Sequence, residues 1–302
     1  AQITNNKSQI TNKFQILISK FQTNPKILKS KNPKIKKLDI LKPYTDKVMS
    51  LVPADELTSL RAKVVVDPAN GLGSIACTEL FKRLPNLTLV PLYFELDGTF
   101  PHHEANPLKT ETLKDLQARV ISEKADLGVA YDGDADRIGF VDEKGQVIAI
   151  DLMGALLARD LLCQKGSVKV LGDVRASRVL QEEVEHAGGT FLLERVGHAF
   201  MKLRMRHEQA LCGVELSGHY YWGDFFNFDS TDLALLRLLS IMAREQKPLS
   251  QIMAPFQRYF HSGEINFTVD NKEAKMEEIS RKYKDQASNI ETLDGIRMDF
   301  NY

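Results

Sequence analysis

The chain has 302 residues, with 40 basic and 40 acidic side chains, so its formal net charge is zero. That balance removes the global case for a nucleic-acid or anionic-membrane partner, and no apolar run reaches the ~20 residues that span a bilayer. At 43% hydrophobic and 26% charged residues, the composition is that of a soluble globular protein long enough to fold as two domains. The N-terminus is polar and lacks a signal-peptide pattern, so a cytoplasmic protein is expected. Cys77, Cys163 and Cys212 sit in apolar contexts and read as buried, reduced thiols.

Residues 1–40 differ from the rest, with nine lysines against one acid, Asp39, and no glycine. Ile10, Phe14, Ile16, Leu17, Ile18 and Phe21 give only a poor helical period. The segment could be a basic arm for an anionic partner, but its low complexity favours a disordered extension. From Leu41 to Ile150 strands and helices alternate. Pro43–Leu51 reads as a helix and Ala62–Val66 as a strand, followed by a tight turn at Asn70–Gly73. That turn could cradle a phosphate but lacks a dinucleotide fingerprint, so it reads as a plain strand-to-helix turn. Ser74–Leu84 and Leu108–Ser122 read as helices, and Leu87–Leu92 and Asp126–Tyr131 as strands. In the turn-rich segment 97–107 the adjacent His102 and His103 point apart in extended chain, so they form no joint metal site.

A second series fills residues 151–258. Helices are expected at Asp151–Cys163, Ser177–His186, His198–His207 and Ser230–Arg244, with a shorter one at Leu249–Phe256. Strands are expected at Val168–Leu171, Thr190–Leu193 and Ala210–Val214. Residues 259–302, with alternation at Glu264–Val269 and a charged helix around Lys272–Lys284, are too short for an independent domain. This alternation predicts two consecutive three-layer α/β domains with mixed, mainly parallel sheets, plus the start of a third, α+β domain.

Two stretches carry the chemistry. Asp132-Gly133-Asp134-Ala135-Asp136-Arg137 places three carboxylates at alternate positions between the apolar runs Leu127–Tyr131 and Ile138–Val141. Their mutual repulsion exceeds what Arg137 can offset, and a turn so closely hemmed by strands leaves little room to splay them apart, so Asp132, Asp134 and Asp136 read as ligands of a hard divalent cation in preference to a solvated acidic turn screened by water. A calcium loop is excluded, because its sixth place demands glycine and holds Arg137, and because the flanks are strands. In the other stretch, 213–219, Glu215, Ser217 and His219 alternate. Extended chain would turn all three one way, as hydrogen-bonding groups for a polyhydroxyl ligand. The same geometry holds Ser217 and His219 ~7 Å apart and so argues against a Ser-His nucleophile pair.

With Asp97–Pro107 and Val196-Gly197-His198, these stretches resemble four ordered loops of the α-D-phosphohexomutases, in particular the phosphomannomutase/phosphoglucomutase group. Val214 departs from that pattern by standing between Gly213 and the Glu-x-Ser-Gly-His run. The resemblance covers roughly residues 41–302 and implies the family's second and third domains followed by the start of its fourth. It implies transfer of phosphate between the 6- and 1-positions of a hexose (mannose and/or glucose) through a hexose 1,6-bisphosphate, with Mg2+ on the three aspartates. By the same resemblance Arg137 helps hold a phosphoserine. Glu215 and Ser217 grip sugar hydroxyls, His198 and His219 line the pocket, and Gly197 and Arg175 contact the hexose phosphate. Arg175 replaces the family's lysine, which puts a proton-transfer role in doubt. The family's Thr-Ala-Ser-His-Asn-Pro nucleophile loop and its Arg-x-Ser-x-Thr phosphate loop do not occur in these 302 residues. Little turnover is therefore expected from this chain alone. A sugar-phosphate and magnesium-binding module without catalysis is the alternative.

Overall fold

The computed structural model describes residues 38–301 apart from 167, 261 and 264. The basic segment falls almost wholly outside the described residues, so both readings of it do too.

Helices α1 (Leu41–Met49) and α2 (Ala54–Ser59) lead into a five-stranded sheet. Its strands are β1 (Ala62–Asp67), β2 (Leu87–Pro91), β3 (Leu127–Tyr131), β4 (Ile138–Asp142) and the two-residue β5 (Val147–Ile148), in the order β2-β1-β3-β4-β5. β1 runs parallel to β2 and β3, whereas β4 and β5 are antiparallel additions at one edge. β3 and β4 are buried along their whole length, which their unbroken apolar sequences require. Val64, Val66, Val129 and Tyr131 share a core with Cys77 and Leu80 of α3 (Gly73–Lys82). Val65, Ala130 and Val141 face Leu116 and Val120 of α4 (Lys114–Glu123) on the other side, completing three layers.

The next unit repeats this plan. α5 (Ile150–Lys165), α6 (Arg178–His186) and α7 (His198–Glu208) flank a sheet ordered β10-β9-β8-β6-β7. Its strands are β6 (Lys169–Asp173), β7 (Thr190–Glu194), β8 (Cys212–Val214), β9 (Tyr220–Trp222) and β10 (Phe228–Asp229). β6 is parallel to β7 and β8, and β9 and β10 are antiparallel. Read from its other edge, this order is that of the first sheet. α8 (Thr231–Glu245) is buried along nearly its whole length, packs on α1, α2 and α5, and joins the two units in one apolar core. Its N-cap is Ser230, whose Oγ accepts from Leu233 N at 3.2 Å. α9 (Leu249–Met253) follows.

The expected fold class holds, with differences in detail. Leu108–Ser122 starts as a 3-10 turn at Thr110–Leu113, because Thr112 Oγ1 donates back to Asn106 C=O at 2.6 Å. Residues 265–269 form no strand. Ile265 and Phe267 are exposed, and backbone without a partner strand gains nothing from extending. The C-terminal sheet is instead the hairpin β11 (Ala287–Glu291) with β12 (Arg297–Phe300), after α10 (Lys272–Tyr283). β9 has no alternating pattern, since all three residues of Tyr220–Trp222 are buried, and β10 is only two residues long. Cys77 and Cys212 are buried as expected, but Cys163 near the end of α5 is exposed, because that last turn has left the core. Among the described residues, no helix is long and apolar enough to cross a membrane.

Candidate functional site

The aspartate stretch is the turn between β3 and β4. Its backbone closes on itself, Asp132 N donating to Arg137 C=O at 3.2 Å and Ala135 N to Asp132 C=O at 3.3 Å. Ala135 takes the left-handed conformation, φ +65°, without being glycine. Leu72 N donates to Gly133 C=O at 3.0 Å, and a Cβ on Gly71 would come within 2.7 Å of that same oxygen. The Asn70–Gly73 turn is therefore a buttress, and Gly71 permits its close approach. Segment 97–107 lies against it as well, with Phe100 over Gly133. His102 Nδ1 pairs with Asn70 Oδ1 at 2.8 Å and His103 Nε2 with Asp67 Oδ2 at 3.0 Å, with Tyr93 between the two rings. Those histidines serve separate partners.

An oxygen from each of Asp132, Asp134 and Asp136 lies within 4.8 Å of the others. Asp132 is 1% exposed and is held by Arg137, whose Nε donates at 2.6 Å to Oδ2 and whose backbone N donates at 3.1 Å to Oδ1. Burial nevertheless raises the Asp132 carboxyl above its usual value, against the pull of Arg137. Asp136 is held low, chiefly by its bond to His219. Asp134 is exposed and has no side-chain partner among the described residues. Three hard oxygen donors with spare lone pairs could hold a divalent cation of the magnesium type. A second group, Asp136, His219 and Asp229, is as compact, but Lys202 Nζ already sits 2.8 Å from Asp229. That ammonium makes it the poorer cation site.

Beyond the end of β8 at Val214, segment 215–219 is not extended, contrary to the alternation argument. It is the turn of the β8–β9 hairpin, closed by Glu215 N to His219 C=O (3.0 Å) and Gly218 N to Glu215 C=O (2.9 Å). Gly218 has φ +95°, and a Cβ there would stand 3.3 Å from Ile138 C=O. The turn brings Ser217 Oγ to 2.8 Å from His219 Nδ1, so the separation expected from extended chain is wrong. Ring closure at glycine converges side chains that a strand would only have aligned. Glu215 is 2% exposed, with Oε1 accepting from Gly197 N at 2.9 Å and Oε2 from Tyr221 OH at 2.6 Å. Burial and Glu215 raise the Tyr221 phenol far above its ordinary range, so it stays a donor.

His219 joins the two turns, its Nε2 lying 3.3 Å from Asp136 Oδ1. Burial opposes charge on this imidazole, but Asp136, Glu215 and Asp229 together outweigh it and raise its pKa. The backbones meet too, Ile138 N donating to Gly218 C=O at 3.1 Å. Asp132, Asp134, Asp136, Arg137, Gly197, Glu215, Ser217 and His219 thus form one cluster. Arg175 is attached through Asp173, which accepts from Arg175 Nη2 and from Leu216 N, each at 2.7 Å. His198 is exposed at the start of α7 and makes none of the contacts that join the others. Sequence reasoning missed Asp173 and Tyr221. Asp173 ends a buried strand as Asp67 does, and Tyr221 continues the alternation of Ser217 and His219; both signals were available.

Comparison with known proteins follows this geometry. Residues 42–145 match the family phosphoglucomutase/phosphomannomutase, alpha/beta/alpha domain II, and residues 150–259 match its domain III. A phosphomannomutase of Methanocaldococcus jannaschii is 40% identical over 235 residues, which are 78% of this chain and 51% of that protein. The chain thus spans about half the length of this relative. The crystal structure of a phosphoglucomutase/phosphomannomutase family protein from Burkholderia thailandensis superposes with a TM-score of 0.79 at 29% identity, over 88% of this chain and 56% of that one. An Aspergillus fumigatus N-acetylphosphoglucosamine mutase, solved with GlcNAc-6P and magnesium, shares the fold at 16% identity and a TM-score of 0.52, over 80% of this chain and 61% of that one.

Proposed function

Because the chain belongs to the phosphoglucomutase/phosphomannomutase family, we propose that it carries the metal-binding and sugar-binding parts of a cytoplasmic phosphohexomutase. Such an enzyme moves a phosphoryl group between the 6- and 1-positions of a hexose, mannose and/or glucose, through hexose 1,6-bisphosphate. The observation that carries the reading is His219, which bridges Ser217 Oγ at 2.8 Å and Asp136 Oδ1 at 3.3 Å and so makes one site from two domains.

In this reading Asp132, Asp134 and Asp136 hold Mg2+, which when bound offsets phosphoryl charge. Arg137 is anchored through Nε on Asp132, and its terminal nitrogens, without protein partners among the described residues, are donors for phosphoryl oxygens. Glu215 is fixed by Gly197 and Tyr221, and each carboxylate oxygen keeps a lone pair for a sugar hydroxyl. Ser217 serves a neighbouring hydroxyl. Arg175, paired with Asp173, is a fixed cation for the substrate and not a proton carrier. His198 at the exposed start of α7 reaches substrate from the rim. The Aspergillus fumigatus complex with GlcNAc-6P and magnesium supports this pairing of ligands.

Calorimetric titration tests the reading. Asp134→Asn should lose most Mg2+ binding, and Glu215→Gln should lose mannose 1-phosphate or glucose 1-phosphate binding while keeping Mg2+. Wild-type affinity for both ligands in both variants would overturn it. A second reading is a sugar-phosphate and magnesium module without turnover, which needs only the carboxylates of the first turn and the fixed Glu215 of the second. Brisk conversion of mannose 1-phosphate with Mg2+ and a hexose bisphosphate would exclude it.

A further inference from the structure

The cation ligands sit in the first domain, yet much of what holds their backbone comes from the second. The strained apex Ala135 (φ +65°) offers its carbonyl to Thr231 Oγ1 at 2.8 Å. Thr231 is the first residue of α8, is 3% exposed, and lies 96 positions along the chain from Ala135. At the other end of the turn, Tyr131 directly precedes Asp132 and donates its hydroxyl to Asp232 Oδ1 at 3.2 Å. Asp232, the next residue of α8, is buried and also accepts Tyr44 OH at 2.8 Å. The segment 132–135 is therefore pinned at both ends to one helix N-terminus of the neighbouring domain.

A left-handed alanine is strained and persists only where its surroundings hold it. Inside the turn, the contact at Ala135 is the 3.3 Å bond from its own N to Asp132. The shorter bond from Thr231 acts directly between Asp134 and Asp136. Its loss frees Ala135 to relax, and the oxygens of Asp134 and Asp136 move with it.

We infer that Thr231 is a positioning residue for the cation site, so that cation affinity in one domain is set by a hydroxyl from the other. The inference rests on the reading of Asp132, Asp134 and Asp136 as cation ligands. The test is Mg2+ calorimetry on the full 302-residue chain, beside its thermal midpoint. Thr231→Val keeps shape and branching but removes the donor, and should weaken Mg2+ roughly three- to tenfold, as befits one hydrogen bond, with little change in midpoint. Thr231→Ser should restore affinity. Tyr131→Phe, which deletes only the hydroxyl on Asp232, should weaken binding in the same direction and serves if Thr231→Val does not fold. Wild-type affinity in both variants, with Asp134→Asn still abolishing binding, overturns the positioning role and leaves the cation site standing. Wild-type affinity in Asp134→Asn overturns both.

Discussion

The two α/β domains share one strand plan and differ in what each places at the same points. In each, a central strand ends in a buried aspartate, Asp67 on β1 and Asp173 on β6, and each aspartate accepts the amide two residues on. In each, the neighbouring parallel strand turns back into an antiparallel hairpin, carrying Asp132–Arg137 in the first domain and Glu215–His219 in the second. The first hairpin turn presents three carboxylates, and the second presents a carboxylate, a hydroxyl and an imidazole. In the function proposed above, an identical scaffold position serves cation binding in one domain and hydroxyl recognition in the other. The two turns meet through His219 on Asp136 and through Ile138 N on Gly218 C=O, and Thr231 of α8 adds a bond to Ala135.

The paired aspartates offer the largest way to break this comparison. Asp173 holds Leu216 N and the Arg175 side chain, whereas Asp67 adds only His103 to its own turn. Asp173→Ala should therefore cost about 2–3 kcal/mol in urea unfolding, and Asp67→Ala closer to about 1 kcal/mol, given the number of bonds each leaves unmade. Equal costs would mean that the two positions do the same work despite their different partners.

A smaller effect separates them by pH. His103 has a raised pKa, chiefly through its hydrogen bond to Asp67, against the cost of burial. A raised folded value means that the charged pair stabilises fully below the unfolded pKa of about 6.5 and is lost as pH rises through the folded value. The stability gap between wild type and His103→Gln should therefore be largest near pH 5.5 and smallest near pH 8.5. It should stay below about 1 kcal/mol, since the imidazole is partly solvated. The pair of Arg175 with Asp173 contains no imidazole, so no such trend is expected from it. A gap that grows with pH at His103 would reverse the assignment.

Much of this was legible in sequence where local rules decide. The apolar runs Val64–Val66, Leu127–Tyr131 and Ile138–Val141 revealed buried strands, and alternate aspartates between the last two revealed crowded charge. The Glu215–His219 turn was misread because alternation on a strand and convergence in a hairpin look alike until Gly218 adopts positive φ. The pins from Thr231 and Asp232 join residues about a hundred positions apart, and no local pattern encodes such pairings. The alternation at Glu264–Val269 yields no strand at 265–269 for want of a neighbour, a tertiary fact that alternation cannot carry.

The aspartate turn, held from both domains, is the proposed seat of a divalent cation. A crystal soaked in Mn2+ and measured for anomalous scattering tests it directly. The account predicts one strong peak among Asp132, Asp134 and Asp136. A peak at Asp136, His219 and Asp229, or none near either turn, would contradict it.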